Sequence, residues 1–144
     1  MYLNHKTSNR DGLALFGGSF DPFHLGHLAI SKKVAAIEGI GRVVLIPSQR
    51  SPLKVAASSA SARDRIEMIA LAIKDEAGLS LDSLEIDRGG ISYSALTVKT
   101  YRERFKQEPL YWVLGEDQFL NLPQWHSLES VSYTHLTLPT ILLV

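Results

Sequence analysis

The stretch Gly17–His27 reads GGSFDPFHLGH, and it follows the short apolar run Leu13–Phe16, LALF. An apolar run that stops at paired glycines reads as a buried strand. Leu25 to about Glu38 reads as a helix, stopped near Gly39 and Gly41. The quoted stretch is therefore expected to be a strand-to-helix corner, and the same pattern repeats outward from it. Arg42–Pro47, RVVLIP, is β-branched and apolar, a second buried strand ended by Pro47. Residues 48–62 form a loop rich in Ser and Ala. Arg63 to Ala77 reads as a helix whose Ile66, Ile69, Ala70 and Ile73 make one apolar stripe. Residues 79–88, LSLDSLEIDR, alternate and read as a third strand. Ser94 to Lys106 reads as a helix with Val98, Tyr101 and Phe105 on one face and Ser92 or Ser94 available to cap it. Leu110–Leu114 is a fourth buried strand, closed by Gly115. Asp117–Leu122 reads as one or two helical turns before Pro123.

Strands alternating with helices of this length imply βαβ units. The expected fold is α/β, a doubly wound, mostly parallel sheet with helices on both faces and right-handed crossovers. Ligands of such sheets sit beyond the carboxyl ends of the strands. Gly17–His27 and residues 115–119, GEDQF, both follow strand ends, so they are expected at the same edge. The chain of 144 residues is long enough for one domain with a real core. Fifteen Lys and Arg balance fifteen Asp and Glu, so charge gives no reason to expect nucleic acid or an anionic membrane as a partner. No cysteine is present, which excludes disulfides and thiolate chemistry. Residues 1–12 are polar and read as an N-terminal extension with no secretory signal. No apolar run is long enough to span a bilayer.

The corner itself carries chemistry. Gly17 and Gly18 have no Cβ and let a ligand approach the backbone. Pro22 stiffens the turn. His24 and His27 lie three apart, so at a helix start they share one face. A helix N-terminus carries about half a positive charge, and its free N–H groups bind phosphate. Two imidazoles added there make a site for a polyphosphate that is positioned rather than attacked. The alternatives are a pair of ordinary helix-start histidines and a metal site, for which a third ligand is missing.

GGSFDPFHLGH resembles the nucleotide-binding motif of the adenylyl- and cytidylyltransferases whose motif runs His-x-Gly-His. With IPSQRSPLK (46–54), ISYSALT (91–97) and VLGEDQFLNLPQWHSLESV (113–131), the order is similar to that of bacterial nicotinate-nucleotide adenylyltransferases, over about residues 13–131. That resemblance implies a Rossmann-like nucleotidyltransferase fold and transfer of the adenylyl group of ATP to nicotinate mononucleotide, with pyrophosphate released. It implies Mg2+ with ATP, held largely by the phosphates, and a cytoplasmic enzyme of NAD biosynthesis. No residue is implied as a metal ligand.

The resemblance also implies roles. His24 and His27 contact the phosphates and stabilise charge developing on the α-phosphate, in keeping with catalysis by positioning and electrostatics. Gly17, Gly18, Ser19 and Phe20 offer backbone, and Ser19 a hydroxyl as well. Asp21 either acts through water or caps the turn. Lys54 faces substrate phosphates, unless it is a solvated loop lysine; Leu53 stands where relatives often have His. Ser92, Tyr93 and Ser94 meet the nicotinate, with Ser94 in place of the usual Thr; the bland reading is a cap followed by a core tyrosine. Gly115 and Asp117 match a Gly-x-Asp that meets ribose hydroxyls, Glu116 lying between them. Trp125 stacks on the pyridine ring or belongs to the core, and the backbone of His126 meets the carboxylate.

Residues 132–144, SYTHLTLPTILLV, leave the family pattern, which runs on to a Ser-x-Thr-x-x-Arg segment. They are expected to be a foreign tail on a C-terminally shortened domain of low solubility and activity. Other readings are a different member of the superfamily, such as pantetheine-phosphate adenylyltransferase or a cytidylyltransferase, and a non-catalytic nucleotide-binding fragment.

Overall fold

The structure, a computed structural model, describes residues 11–49, 60–115, 120 and 141–143. Its elements run β1 (Gly12–Gly18), α1 (Leu25–Ala35), β2 (Ile40–Pro47), α2 (Ala62–Ile73), β3 (Leu79–Leu81), α3 (Leu84–Arg88), α4 (Ser94–Arg104), β4 (Leu110–Leu114) and β5 (Ile141–Leu143). The five strands form one sheet in the order β3-β2-β1-β4-β5, and every adjacent pair is parallel. This is the doubly wound order expected of βαβ units that build outward from a central strand. β1 begins one residue ahead of the expected domain start. β5 lies inside residues 132–144, the stretch expected to be a tail, and its Cα partners run from Trp112↔Ile141 to Leu114↔Leu143.

The pleat sorts the strand residues onto two faces. Leu13, Leu15, Val44, Ile46, Leu110, Trp112 and Leu114 pack with Val98 and Tyr101 of α4. Ala14, Phe16, Val43, Leu45 and Val113 pack on the other side with Val34 of α1 and Ile69 and Ile73 of α2. A strand buried on both faces has no polar side to show, which is why these runs read as continuous apolar stretches. Each fully buried aliphatic chain such as Leu15, Leu45 or Ile46 contributes about 1.5–3 kcal/mol. Among the described residues no helix is long and apolar enough to cross a membrane.

Three expectations are corrected. Residues 79–88 are not one strand. Asp82 stops β3 after Leu81, because its Oδ1 accepts from Leu84 N at 3.0 Å and starts a turn that runs into α3. The buried stripe of α2 is Arg65, Ile69 and Ile73, with Ala70 exposed. No serine side chain caps α4: its N-cap is Tyr93, with no side-chain cap bond. The helices are also shorter than their patterns. α1 ends at Ala35 and Gly39, at φ 86°, turns the chain into β2. α4 ends at Arg104, and Phe105 lies beyond it while still stacking on Tyr101 at 5.8 Å. The turn expected over Asp117–Leu122 lies outside the described residues apart from the helical, exposed Leu120.

Candidate active site

After β1 the chain builds outward through β2 to β3, and then returns to place β4 on the other side of β1. The sheet's switch point therefore lies between the carboxyl ends of β1 and β4, at Gly18 and at Leu114–Gly115. The corner between β1 and α1 sits at that edge.

Its glycines are required by the protein's own rings. A Cβ on Gly17 would lie 3.0 Å from Cζ2 of Trp112, and one on Gly18 would lie 3.2 Å from the Phe20 ring. The room reserved for a ligand at those two Cβ positions is thus taken by side chains. Phe20 has a left-handed backbone, φ 46°, which costs a non-glycine residue about 1–2 kcal/mol. Its buried ring offsets that with about 1.5–3 kcal/mol. The ring meets Phe16, Phe23 and His27 at 5.3, 5.5 and 5.1 Å between centroids. The Asp21–Pro22 peptide is cis. Asp21 ties this corner to the segment before α2, its Oδ1 accepting from Ala60 N at 3.1 Å.

His24 and His27 meet. His24 is the N-cap of α1 and its Nδ1 accepts from Gly26 N at 3.1 Å. His27, three residues on, accepts from His24 N through Nδ1 at 3.2 Å. The pair makes a reciprocal capping box out of imidazoles. The rings stack at 3.7 Å. An Nδ1 that accepts carries no proton, so the proton of each neutral ring is assigned to Nε2. Burial, and secondarily the neighbouring His24, hold the His27 imidazole well below its usual range, at about 4. At neutral pH His27 is therefore an uncharged Nε2–H donor. With both Nδ1 atoms turned to the backbone, the two Nε2 edges are left to face an anion with several oxygens.

The second wall of this edge is the start of α4. Ser92 is 6% exposed, and its hydroxyl accepts from Gln49 N at 3.0 Å and bonds to Glu85. Glu85 Oε1 also accepts from Thr97 Oγ1 at 2.6 Å. Burial pushes the Glu85 carboxyl up, against those two hydroxyl bonds and the charge of Arg88. Ser92 thus ties α4 to the loop after β2, and its hydroxyl is committed inward. Tyr93 and Ser94 are part-exposed at the helix start, and Gly115 is part-exposed after β4. Lys54, Glu116, Asp117, Trp125 and His126 lie outside the described residues.

Sequence reading missed Arg65, Glu85 and Asp82. Arg65 is buried, and its Nη1 donates to Ser19 O and Ser48 O, each at 2.7 Å. The one available signal was its position four residues before Ile69 and eight before Ile73, on the buried stripe. Asp82 Oδ2 accepts from Tyr101 Oη at 2.6 Å and from Arg104 at 3.3 Å. Burial and that carboxylate push the Tyr101 phenol far up. Among the described residues no three His, Asp or Glu side chains group as a metal cage.

The chain matches the cytidylyltransferase-like family over residues 15–138. It is similar to a probable nicotinate-nucleotide adenylyltransferase of Treponema pallidum subsp. pallidum, 46% identical over 127 residues, covering 86% of this chain and 62% of that protein. A protein of the same description from Gloeobacter violaceus is 38% identical over 114 residues, covering 79% and 55%. The chain thus spans about 62% of the length of the first of these curated relatives. The fold is that of the Plasmodium falciparum nicotinic acid mononucleotide adenylyltransferase complexed with NaAD. That structure superposes with a TM-score of 0.76 at 17% identity, over 93% of this chain and 74% of that one. A cytidylyltransferase-like match over most of the chain, on a doubly wound sheet whose switch point carries the paired histidines, places this chain in the cytidylyltransferase-like family.

Proposed function

We propose that this chain carries the nucleotide- and acceptor-binding core of a nicotinate-nucleotide adenylyltransferase. It would transfer the adenylyl group of ATP to nicotinate mononucleotide and release pyrophosphate. The observation that carries this reading is the His24–His27 capping box at the switch point, with both Nδ1 atoms committed to backbone. The similarity to probable nicotinate-nucleotide adenylyltransferases supports the choice of acceptor.

In this reading ATP, with Mg2+ on its phosphates, lies across the corner of β1 and α1. The backbone of Gly17, Gly18, Ser19 and Phe20 lines the phosphates. The phosphate oxygen of nicotinate mononucleotide attacks the α-phosphorus in line, and pyrophosphate leaves. His24 and His27 donate from Nε2 to oxygens that gain charge in the transition state. A preorganised donor of this kind is worth on the order of a hundredfold or more in rate. In the ligand-free fold burial holds the His27 imidazole well below its usual range, and its contribution is read as a hydrogen bond from Nε2.

Gly115 and Asp117 meet the ribose, and Lys54 meets a substrate phosphate. Tyr93, Ser94 and Trp125 frame the pyridine ring, with Ser92 holding that segment from behind. Residues 13–131 form the nucleotidyltransferase domain and residues 132–144 add β5 at its edge. In this reading the reaction is a cytoplasmic one.

The test is pyrophosphate release from ATP with nicotinate mononucleotide, phosphopantetheine or glycerol phosphate as acceptor. Turnover is expected with nicotinate mononucleotide once a family C-terminus follows Val131, and in that protein Trp125→Ala is expected to raise its KM while leaving that of ATP nearly unchanged. Preference for another acceptor overturns the substrate assignment. ATP binding with no turnover on any acceptor makes the chain a nucleotide-binding unit and overturns the transferase reading.

A further inference from the structure

We propose that Arg65 is a positioning residue that sets the direction of the phosphate-binding backbone at the β1–α1 corner. The inference rests on the reading of that corner as the ATP site. Arg65 sits in the first turn of α2 and is 1% exposed. A single nitrogen, Nη1, donates to Ser19 O and to Ser48 O, each at 2.7 Å. The two protons on that nitrogen thus serve two segments far apart in sequence. Burial lowers the affinity of the guanidinium for its proton, and the Asp21 carboxylate acts against this. Ser48 N in turn donates to Gly18 O at 2.8 Å, so the two segments are also joined directly.

Arg65 shares its buried stripe with Ile69 and Ile73, where an apolar residue could fill the space but would leave Ser19 O and Ser48 O without this donor. What the guanidinium provides is directional. A trans peptide is planar, with its N–H opposed to its C=O. Fixing Ser48 O toward Arg65 aims Gln49 N the other way, and Gln49 N does donate to Ser92 Oγ at 3.0 Å. The same geometry at Ser19 aims the N–H of Phe20 away from Arg65. Phe20 lies between Gly18 and the His24–His27 pair and has the left-handed backbone, φ 46°. Arg65 therefore selects the orientation of the Ser19–Phe20 peptide and presents the Phe20 N–H for a phosphate oxygen. The Ser48–Gln49 peptide has a second anchor in Ser92.

The experiment compares the wild-type chain with Arg65→Met, which keeps the volume and loses both donors, and Arg65→Lys, which is too short to reach both carbonyls. Binding of ATP with Mg2+ and of nicotinate mononucleotide is measured by calorimetry, beside thermal unfolding. In Arg65→Met the affinity for ATP should fall on the order of tenfold, as for loss of a charge-assisted pair of hydrogen bonds. The affinity for the acceptor should fall several-fold less, and Arg65→Lys should lie between. In Arg65→Ala, millimolar methylguanidinium should restore ATP binding in part. Should Arg65→Met not fold, Arg65→Lys gives the same ATP-against-acceptor ratio. Equal losses for both ligands, or a lower Tm with unchanged ATP affinity, would make Arg65 a structural residue and overturn the inference. A wild-type chain that binds no ATP overturns the reading of the corner and this inference with it. A wild-type chain that binds ATP as Arg65→Met does overturns this inference alone.

Discussion

The two helix starts at the active edge are built in opposite ways. α1 organises its own beginning: His24 and His27, three residues apart, cap each other's backbone and stack. α4 has no side chain capping it. Its start is held from outside, by Glu85 on Thr97 and by Gln49, 43 residues away, on Ser92. The α1 corner is thus a local device in which the groups that would touch phosphate also end the helix. The α4 corner is a tertiary device in which buried groups hold residues that would touch the acceptor. Damage to the first should show in chemistry, and damage to the second in stability and acceptor binding.

The largest expected effect tests the first half of that contrast. His27→Ala should lower kcat by about a hundredfold or more, read as pyrophosphate release. It should also cost about 1 kcal/mol of stability through the lost cap. His27→Asn keeps a capping acceptor, so it should recover the stability and not the rate. Recovery of both would show that the histidine acts through the cap alone.

Next comes the tertiary device. Glu85→Ala leaves the hydroxyls of Thr97 and Ser92 without their acceptor, and should cost about 1–3 kcal/mol in urea unfolding. Its KM for nicotinate mononucleotide should rise while that for ATP stays. If the ATP side weakens equally, the two corners are one unit and the contrast fails. Smaller again, Tyr101→Phe removes one bond to Asp82, which keeps Arg104. It should lower stability by about 1 kcal/mol and leave both KM values alone.

The smallest effect is one of pH. His27 is depressed from 6.5 to about 4 in the fold, so between those values the unfolded chain binds the proton more readily. The His27 contribution is therefore complete above pH 6.5 and declines as pH falls toward 4. Glu85, whose carboxyl is raised, acts in the opposite direction. The comparison must therefore be wild type against His27→Asn, which share Glu85. Wild type should lose more stability on acidification, and the His27 ring protons should titrate near 4. A midpoint near 6.5 would mean an open, uncapped ring.

Much of this molecule follows from short-range pattern. Strands with no polar side, such as Leu13–Phe16 and Arg42–Pro47, announce a sheet covered on both faces. The histidine pair, three apart after two glycines, marks the working corner, because helix geometry alone brings such residues together. Residues 79–88 misled for an equally physical reason. Period-2 apolarity describes the strand and the turn alike, and only the Asp82 carboxylate bonded to Leu84 N, Tyr101 and Arg104 breaks it. Arg65 and Glu85 were illegible as site residues because a charge is spelled the same whether solvated or buried. Their partners are backbone carbonyls and hydroxyls 7 to 46 residues distant. By itself the sequence determined the order of β1, α1, β2, α2, α4 and β4 and the histidine corner, which rest on patterns within a few residues, and through that alternation the parallel sheet. Tertiary structure alone decided which charges were buried, which serine bonded inward and which peptides were turned, because those depend on groups that only the folded sheet brings within hydrogen-bond reach.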